Sequence, residues 1–162
     1  MADTWEHVHI EHQAERVARI VLARPEAANA QNYQMLSELN EAFDVASRHT
    51  EVGVIILAAD GKHFSAGHDL RAEPDLSDID PIGTWCCLDA EGAEGYMAKE
   101  AEMYLGLCWR WRSLPKPTIA QVQGKAIAGG LMLMWPMDLV VCSEEATFSD
   151  PAVPLDDLES TT

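Results

Sequence analysis

Two short stretches of this chain carry small residues where backbone N–H groups can face a ligand. The first is residues 124–138, Gly-Lys-Ala-Ile-Ala-Gly-Gly-Leu-Met-Leu-Met-Trp-Pro-Met-Asp. It follows the β-branched run 118–122 and leads into another at 139–142. This order predicts a strand, a glycine-bearing turn, a short apolar helix and a second strand. Gly129 and Gly130 then fall where the helix starts, and the first N–H groups of a helix have no intrahelical partner. Such groups attract an anion, or an oxygen that becomes anionic during reaction. The second stretch, residues 61–70, reads Gly-Lys-His-Phe-Ser-Ala-Gly-His-Asp-Leu and follows the apolar run 54–58. Small side chains at Ser65, Ala66 and Gly67 leave a backbone N–H open to something lying on the loop. Two such N–H groups from separate loops are what an oxyanion hole requires.

At this pair of motifs the chain resembles the crotonase family, the enoyl-CoA hydratase/isomerase superfamily. The residues that carry the likeness are 64–70 and 124–130, with Asp138, Leu139 and Val140 beyond them. Upstream, residues 22–30 (Leu-Ala-Arg-Pro-Glu-Ala-Ala-Asn-Ala) are similar to the family's Arg-Pro…Asn-Ala signature. Three motifs in the family's order are specific together, although each is weak alone. The likeness runs from about residue 5 to residue 153, and family members are longer, at roughly 250 residues. It implies an α/β fold, a crotonase-like (ClpP/crotonase) spiral of ββα units, truncated relative to the family. Residues 1–153 would be an incomplete core and 154–162 a non-matching tail. It also implies an acyl-CoA thioester as ligand and a homotrimer or hexamer. No metal is required, and no cofactor beyond the coenzyme A of the substrate.

By position in the resemblance, the amides of Ala66 and Gly129 are the two donors. They would hold the thioester oxygen as enolate charge builds, each worth about 3–4 kcal/mol in the transition state. Ala28, Lys62, Gly67, His68, Asp69, Arg71 and Gly130 are assigned to substrate binding. Hydratases of the family use two glutamates, but Met132 and Ala152 stand at those positions. Neither side chain can give or take a proton. Asp150, two residues before the second, is the candidate acid or base; His68, Asp69, Glu91 and Glu94 are further substitutes. Asp69 also reads as a residue that orders its own loop through backbone hydrogen bonds. Ser65 lacks a G-x-S-x-G elbow and is not read as a nucleophile. The spacing of Gly124, Gly129 and Gly130 does not make a dinucleotide fingerprint. Two readings follow: an enzyme of the hydratase/isomerase group whose reaction need not be hydration, or a non-catalytic acyl-CoA-binding subunit or inactive truncated product.

The elements that must position these residues are legible in the pattern. Val8, Ile10 and His12 alternate with polar neighbours and residues 17–23 form a second run, joined by a hairpin connection at 13–16. His7 and His9 share a strand face with Glu11 nearby and are read as exposed strand residues, not metal ligands. After Pro25, Asn29 or Asn32 caps a helix whose buried stripe is Met35, Leu36, Leu39, Ala42, Phe43 and Ala46. A nearly all-apolar strand at 52–58 is expected where both sheet faces are covered. Residues 71–95, acidic and broken by Pro and Gly, are read as a long excursion and a lid over the acyl group. Met97, Ala101, Tyr104, Leu105 and Cys108 mark an amphipathic helix ending near Pro115.

Composition bounds the partners. The chain has 162 residues, 48% of them hydrophobic, enough for one domain with a sizeable core. Its 27 acids against 11 Lys and Arg give a net charge of −16, which disfavours nucleic acid and anionic membranes. A polyanion such as coenzyme A would need bases gathered locally. Arg24, Lys62, Arg71 and Lys125 lie in or beside the three motifs, either for that purpose or as ordinary solvated charges. Four cysteines without a C-x-x-C pair point to a reducing compartment. The N-terminus shows no signal peptide, and a cytoplasmic location is expected.

Overall fold

The computed structural model describes residues 4–71 and 88–150. Most of the expected lid, together with Ala152 and the 154–162 tail, lies outside the described residues. β1 (Val8–Ala14) and β2 (Val17–Leu22) form the antiparallel hairpin that the alternation predicts. β3 (Val54–Ala59) adds to β2 in parallel. The later strands are β4 (Thr118–Val122), β5 (Lys125–Ile127), β6 (Leu139–Cys142) and β7 (Thr147–Ser149). β4 and β6 extend the main sheet to the order β1-β2-β3-β4-β6, while β5 and β7 make a separate parallel pair. Among the described residues no helix is long and apolar enough to cross a membrane.

α1 (Tyr33–Arg48) starts at Asn32, whose Oδ1 accepts the Met35 N–H at 2.8 Å. Asn29, the other cap candidate, has a different task described below. The whole expected stripe of α1 is buried, because its 3.6-residue period lays one apolar face on the sheet. Lys116 closes the far end, donating to the carbonyls of Ala46 (2.9 Å) and His49 (2.6 Å). Replacing Asn32 by Ala leaves the Met35 amide without its cap. The expected cost is about 1 kcal/mol, read as a lower urea midpoint at unchanged slope.

The second helical region departs from the expected single α-helix. α2 (Gly92–Glu100) passes into a π-helical turn over Ala101–Gly106 and then into α3 (Leu107–Arg112). The wider turn shifts the register, so Met97 (73% exposed) and Leu105 (51%) face outward. Tyr104 goes in as expected, joined by Met103, Leu107 and Trp111. Trp111 stacks obliquely on Phe43 at 5.3 Å, and Arg110 grips both oxygens of Asp44 on α1. Those contacts hold α3 against α1, while Tyr104 of the π turn lies 6.4 Å from Tyr33 at the start of α1.

β4 is pinned to the start of β6 by Asp138. Its Oδ2 accepts the Thr118 N–H (2.9 Å) and hydroxyl (3.1 Å), and its Oδ1 accepts from Arg112 (2.8 Å). The Thr118 amide, helped by Arg112, holds the Asp138 carboxyl below the usual carboxylate range. A depressed carboxyl adds stability that is complete above its ordinary pKa and disappears as pH falls through its folded value. The stability gap between the natural chain and Asp138→Asn is therefore expected to be constant from about pH 5 to 7 and to shrink below about pH 4.

Candidate functional site

The loop that follows β3 is held from two sides. Asn29, fully buried at φ 51°, accepts the Arg24 N–H on Oδ1. Its Nδ2 donates to the carbonyls of Asp60 and His63, both at 2.9 Å. On the other side Phe64 N–H bonds to Gln123 O, Ser65 N–H to Lys125 O, and Ile127 N–H to Ser65 O. The Arg-Pro…Asn-Ala segment is thus a buttress that shapes the loop.

The donor expected on this loop is already engaged within the chain. The Ala66 N–H bonds to the Ala28 carbonyl at 2.9 Å, so it is not open to a ligand. Ala28, left-handed at φ 51°, turns that carbonyl toward the loop, which gives it a structural role where substrate contact was expected. Gly67 N–H donates to Ser65 Oγ (3.2 Å) and Asp69 N–H to Gln31 O (2.8 Å). The His68 amide is left without an acceptor among the described residues. It belongs to a bridge with Gln31 in which its own N–H points away from that partner.

Across from it, Ala128 (φ 46°) breaks the chain between β5 and α4 (Gly129–Met134), and the Gly129 amide is also unengaged among the described residues. The two loops touch. A Cβ on Gly67 would stand 3.3 Å from Gly129 N and 2.8 Å from Ile127 O, and one on Gly130 would stand 2.6 Å from Ser65 O. Gly67, at φ 94°, and Gly130 are what permit this approach.

The His68 ring lies 3.9 Å from that of Tyr104, which the π turn delivers, and against Gly129. Burial pushes the imidazole pKa down, opposed by the charge of Glu100. Burial likewise pushes the Tyr104 phenol far up, so it stays protonated. His68 and Tyr104 line a cavity of about 210 Å³ with Gln31, Tyr33, Tyr96 and Glu100. A wider groove of about 650 Å³ lies on the other side of His68 and Asp69, bordered by Arg24, Ala30, Leu70 and Arg71.

The remaining expected site residues divide. Asp69 orders its loop, accepting Arg24 Nη2 at 2.9 Å and the Arg71 N–H at 3.1 Å, and it also borders both cavities. Arg24 also donates to Ala30 O, so Arg71 is the more available base at the groove. Lys62 and Lys125 border neither cavity. Asp150 is exposed immediately after β7 and lines neither, so the structure does not bring the tentative acid or base to His68. Glu91 and Glu94 are exposed at the start of α2 and also line neither. Gln31, Tyr33 and Glu100 line the cavity without having been singled out in the sequence, where nothing but neighbourhood to the Asn-Ala motif marks Gln31.

Fold and site together define an α/β protein whose paired glycine loops meet beside a half-buried cavity. A family model described as enoyl-CoA hydratase/isomerase matches residues 17–155. EchA13 of Mycobacterium tuberculosis, provisionally named as an enoyl-CoA hydratase, is 43% identical over 141 residues, covering 83% of this chain and 44% of that protein. 4-Chlorobenzoyl coenzyme A dehalogenase-2 of Arthrobacter sp is 33% identical over 142 residues, covering 88% of this chain and 47% of that protein. The crystal structure of a probable enoyl-CoA hydratase from Mycobacterium smegmatis superposes with a TM-score of 0.77 at 46% identity, over 91% of this chain and 53% of that one. The chain belongs to the enoyl-CoA hydratase/isomerase family and has its crotonase-like fold. It spans about half the length of the relatives it matches.

Proposed function

We propose that this chain processes acyl-CoA thioesters by the chemistry of the enoyl-CoA hydratase/isomerase group, gripping the thioester oxygen between the amides of His68 and Gly129. The observation that carries the reading is that these two amides have no acceptor among the described residues, on loops that touch, beside a cavity that His68 lines. Any reaction that builds negative charge at the α-carbon also builds it on the thioester oxygen. Fixed N–H donors stabilise that oxygen by about 3–4 kcal/mol each. Arg71, at the edge of the wider groove, supplies charge for the coenzyme A phosphates. Coenzyme A enters only as part of the substrate. Relatives named as hydratase and as dehalogenase share a coenzyme A thioester and differ in reaction, which supports the ligand class and leaves the reaction open. The resemblance also implies assembly into a homotrimer or hexamer.

A non-catalytic acyl-CoA-binding subunit is favoured by one observation. Met132, on α4 three residues after Gly129, has no ionisable group, and Asp150 lies off the cavity. Calorimetry with butyryl-CoA, together with loss of crotonyl-CoA absorbance, separates the two. Turnover supports the enzyme, binding without turnover supports the subunit, and no affinity for any CoA thioester sinks both.

A further inference from the structure

Tyr96, Glu100 and Tyr104 are spaced four apart along α2 and the π turn, and all three line the 210 Å³ cavity. One side of this helix therefore faces it. Tyr104 ends the row against the His68 ring, and Glu100 stands about one helical turn before it. Glu100 is half-buried, and its carboxylate has no hydrogen bond or ion pair among the described residues. Burial, then the charge of Glu100, keeps the Tyr33 phenol protonated, and the same charge bears on Tyr104 and His68. The neighbouring polar groups are spent. Gln31 Nε2 donates at 3.1 Å to Ser65 Oγ, whose single proton goes to the Asn29 carbonyl at 2.8 Å. Amide and lysine side chains, Gln31 and Lys99 here, offer no basic site. Asp69 is committed to Arg24 and to the Arg71 N–H. His68 Nε2 is buried against Gly129, where an added Cβ would stand 2.7 Å from it. Glu100 is thus the carboxylate of this cavity that is left to act on a ligand.

We propose that Glu100 is the general base of this site, taking a proton from the α-carbon of the bound acyl thioester, a role that neither Met132 nor Asp150 fills. The inference rests on the acyl-CoA reading above, which seats the thioester oxygen at the His68 and Gly129 amides and turns the adjacent α-carbon toward the row of Tyr96, Glu100 and Tyr104. Glu100 removes the α-proton, and the C–H electron pair forms the carbon–carbon double bond of the enolate. The carbonyl pair moves onto the held oxygen. The resulting carboxylic acid exchanges its proton with water and returns one to the carbon, so the thioester is regenerated with that hydrogen exchanged. The step needs no further reactant.

The test is proton NMR of butyryl-CoA with the chain in deuterium oxide, beside calorimetry of the same ligand. The α-proton signal is expected to disappear with the natural chain. Glu100→Gln keeps the side chain's shape without its basic oxygen. It is expected to slow the exchange by about 10²–10⁴-fold while affinity stays within about twofold. Formate added to Glu100→Ala is expected to restore part of the exchange, which a packing role would not allow. Exchange by Glu100→Gln within about tenfold of the natural chain overturns the base. Loss of affinity together with exchange in both variants makes Glu100 a structural residue and overturns it as well. Butyryl-CoA bound by the natural chain without any exchange also overturns it, leaves the acyl-CoA reading standing, and does not depend on any variant folding. If butyryl-CoA fails to bind the natural chain, the acyl-CoA reading falls and takes the base with it.

Discussion

Gly129→Ala is expected to lower kcat/KM on a CoA thioester by about 10²–10³-fold, the loss typical of one oxyanion donor, while the chain still folds. The backbone tolerates the change, because Gly129 is helical and is not among the glycines at positive φ. What the new methyl meets is the site itself: His68 Nε2 at 2.7 Å and Gln31 Oε1 at 3.2 Å. The imidazole, stacked on Tyr104, has to leave its position or be held off the amide, and either movement disturbs the geometry around the Gly129 N–H. The neighbouring Gly130→Ala makes the contrast. Its methyl would stand 2.6 Å from the Ser65 carbonyl, a backbone atom, so that variant should lose stability. Steady-state rates and urea unfolding on the two variants measure the division. A Gly129→Ala chain that keeps thioester turnover within tenfold of the original excludes this amide from the chemistry.

Most of the scaffold could be read directly. The α1 stripe follows a 3.6-residue period and the β3 run is apolar throughout, and both patterns report burial that local sequence encodes well. The two glycine loops were legible for the same reason, since small residues between a strand and a helix have few other uses. Which amide the loop after β3 leaves open was not legible. That depends on the left-handed Ala28, which turns its carbonyl onto Ala66 and shifts the open position two residues to His68. No feature of an alanine announces a positive φ. The α-helical spacing of Tyr104 correctly marks it as buried, but its stacking on the His68 ring, at the π turn, has no local signal. Gln31 is a polar residue that looks like surface until the single proton of Ser65 is followed to Asn29. Long-range hydrogen-bond bookkeeping of this kind exists only in three dimensions.

The largest loss of stability is expected from Asn29→Ala. The side chain is fully buried and makes three hydrogen bonds to main-chain groups: from Arg24 N–H, and to the carbonyls of Asp60 and His63. Alanine leaves all three groups without that partner. At roughly 1–3 kcal/mol for each stranded buried group, the expected cost is about 4 kcal/mol, a large part of a domain's usual 5–15 kcal/mol. The left-handed backbone at φ 51° adds to it, because asparagine enters that region more readily than alanine. Asn29→Asp is no rescue: it keeps the acceptor for Arg24 but sets a second oxygen against two carbonyls. The consequence reaches the site, since the Asn29 carbonyl takes the Ser65 proton and Ser65 holds both Gly67 and Gln31. Urea unfolding of Asn29→Ala beside Asn32→Ala is the appropriate comparison. The two asparagines lie three residues apart, yet only the first joins the Arg-Pro segment to the loop after β3. A cost for Asn29→Ala no greater than that for Asn32→Ala would mean that the loop carrying His68 is held by β5 alone, and the buttress assigned to residues 24–30 would have to be abandoned.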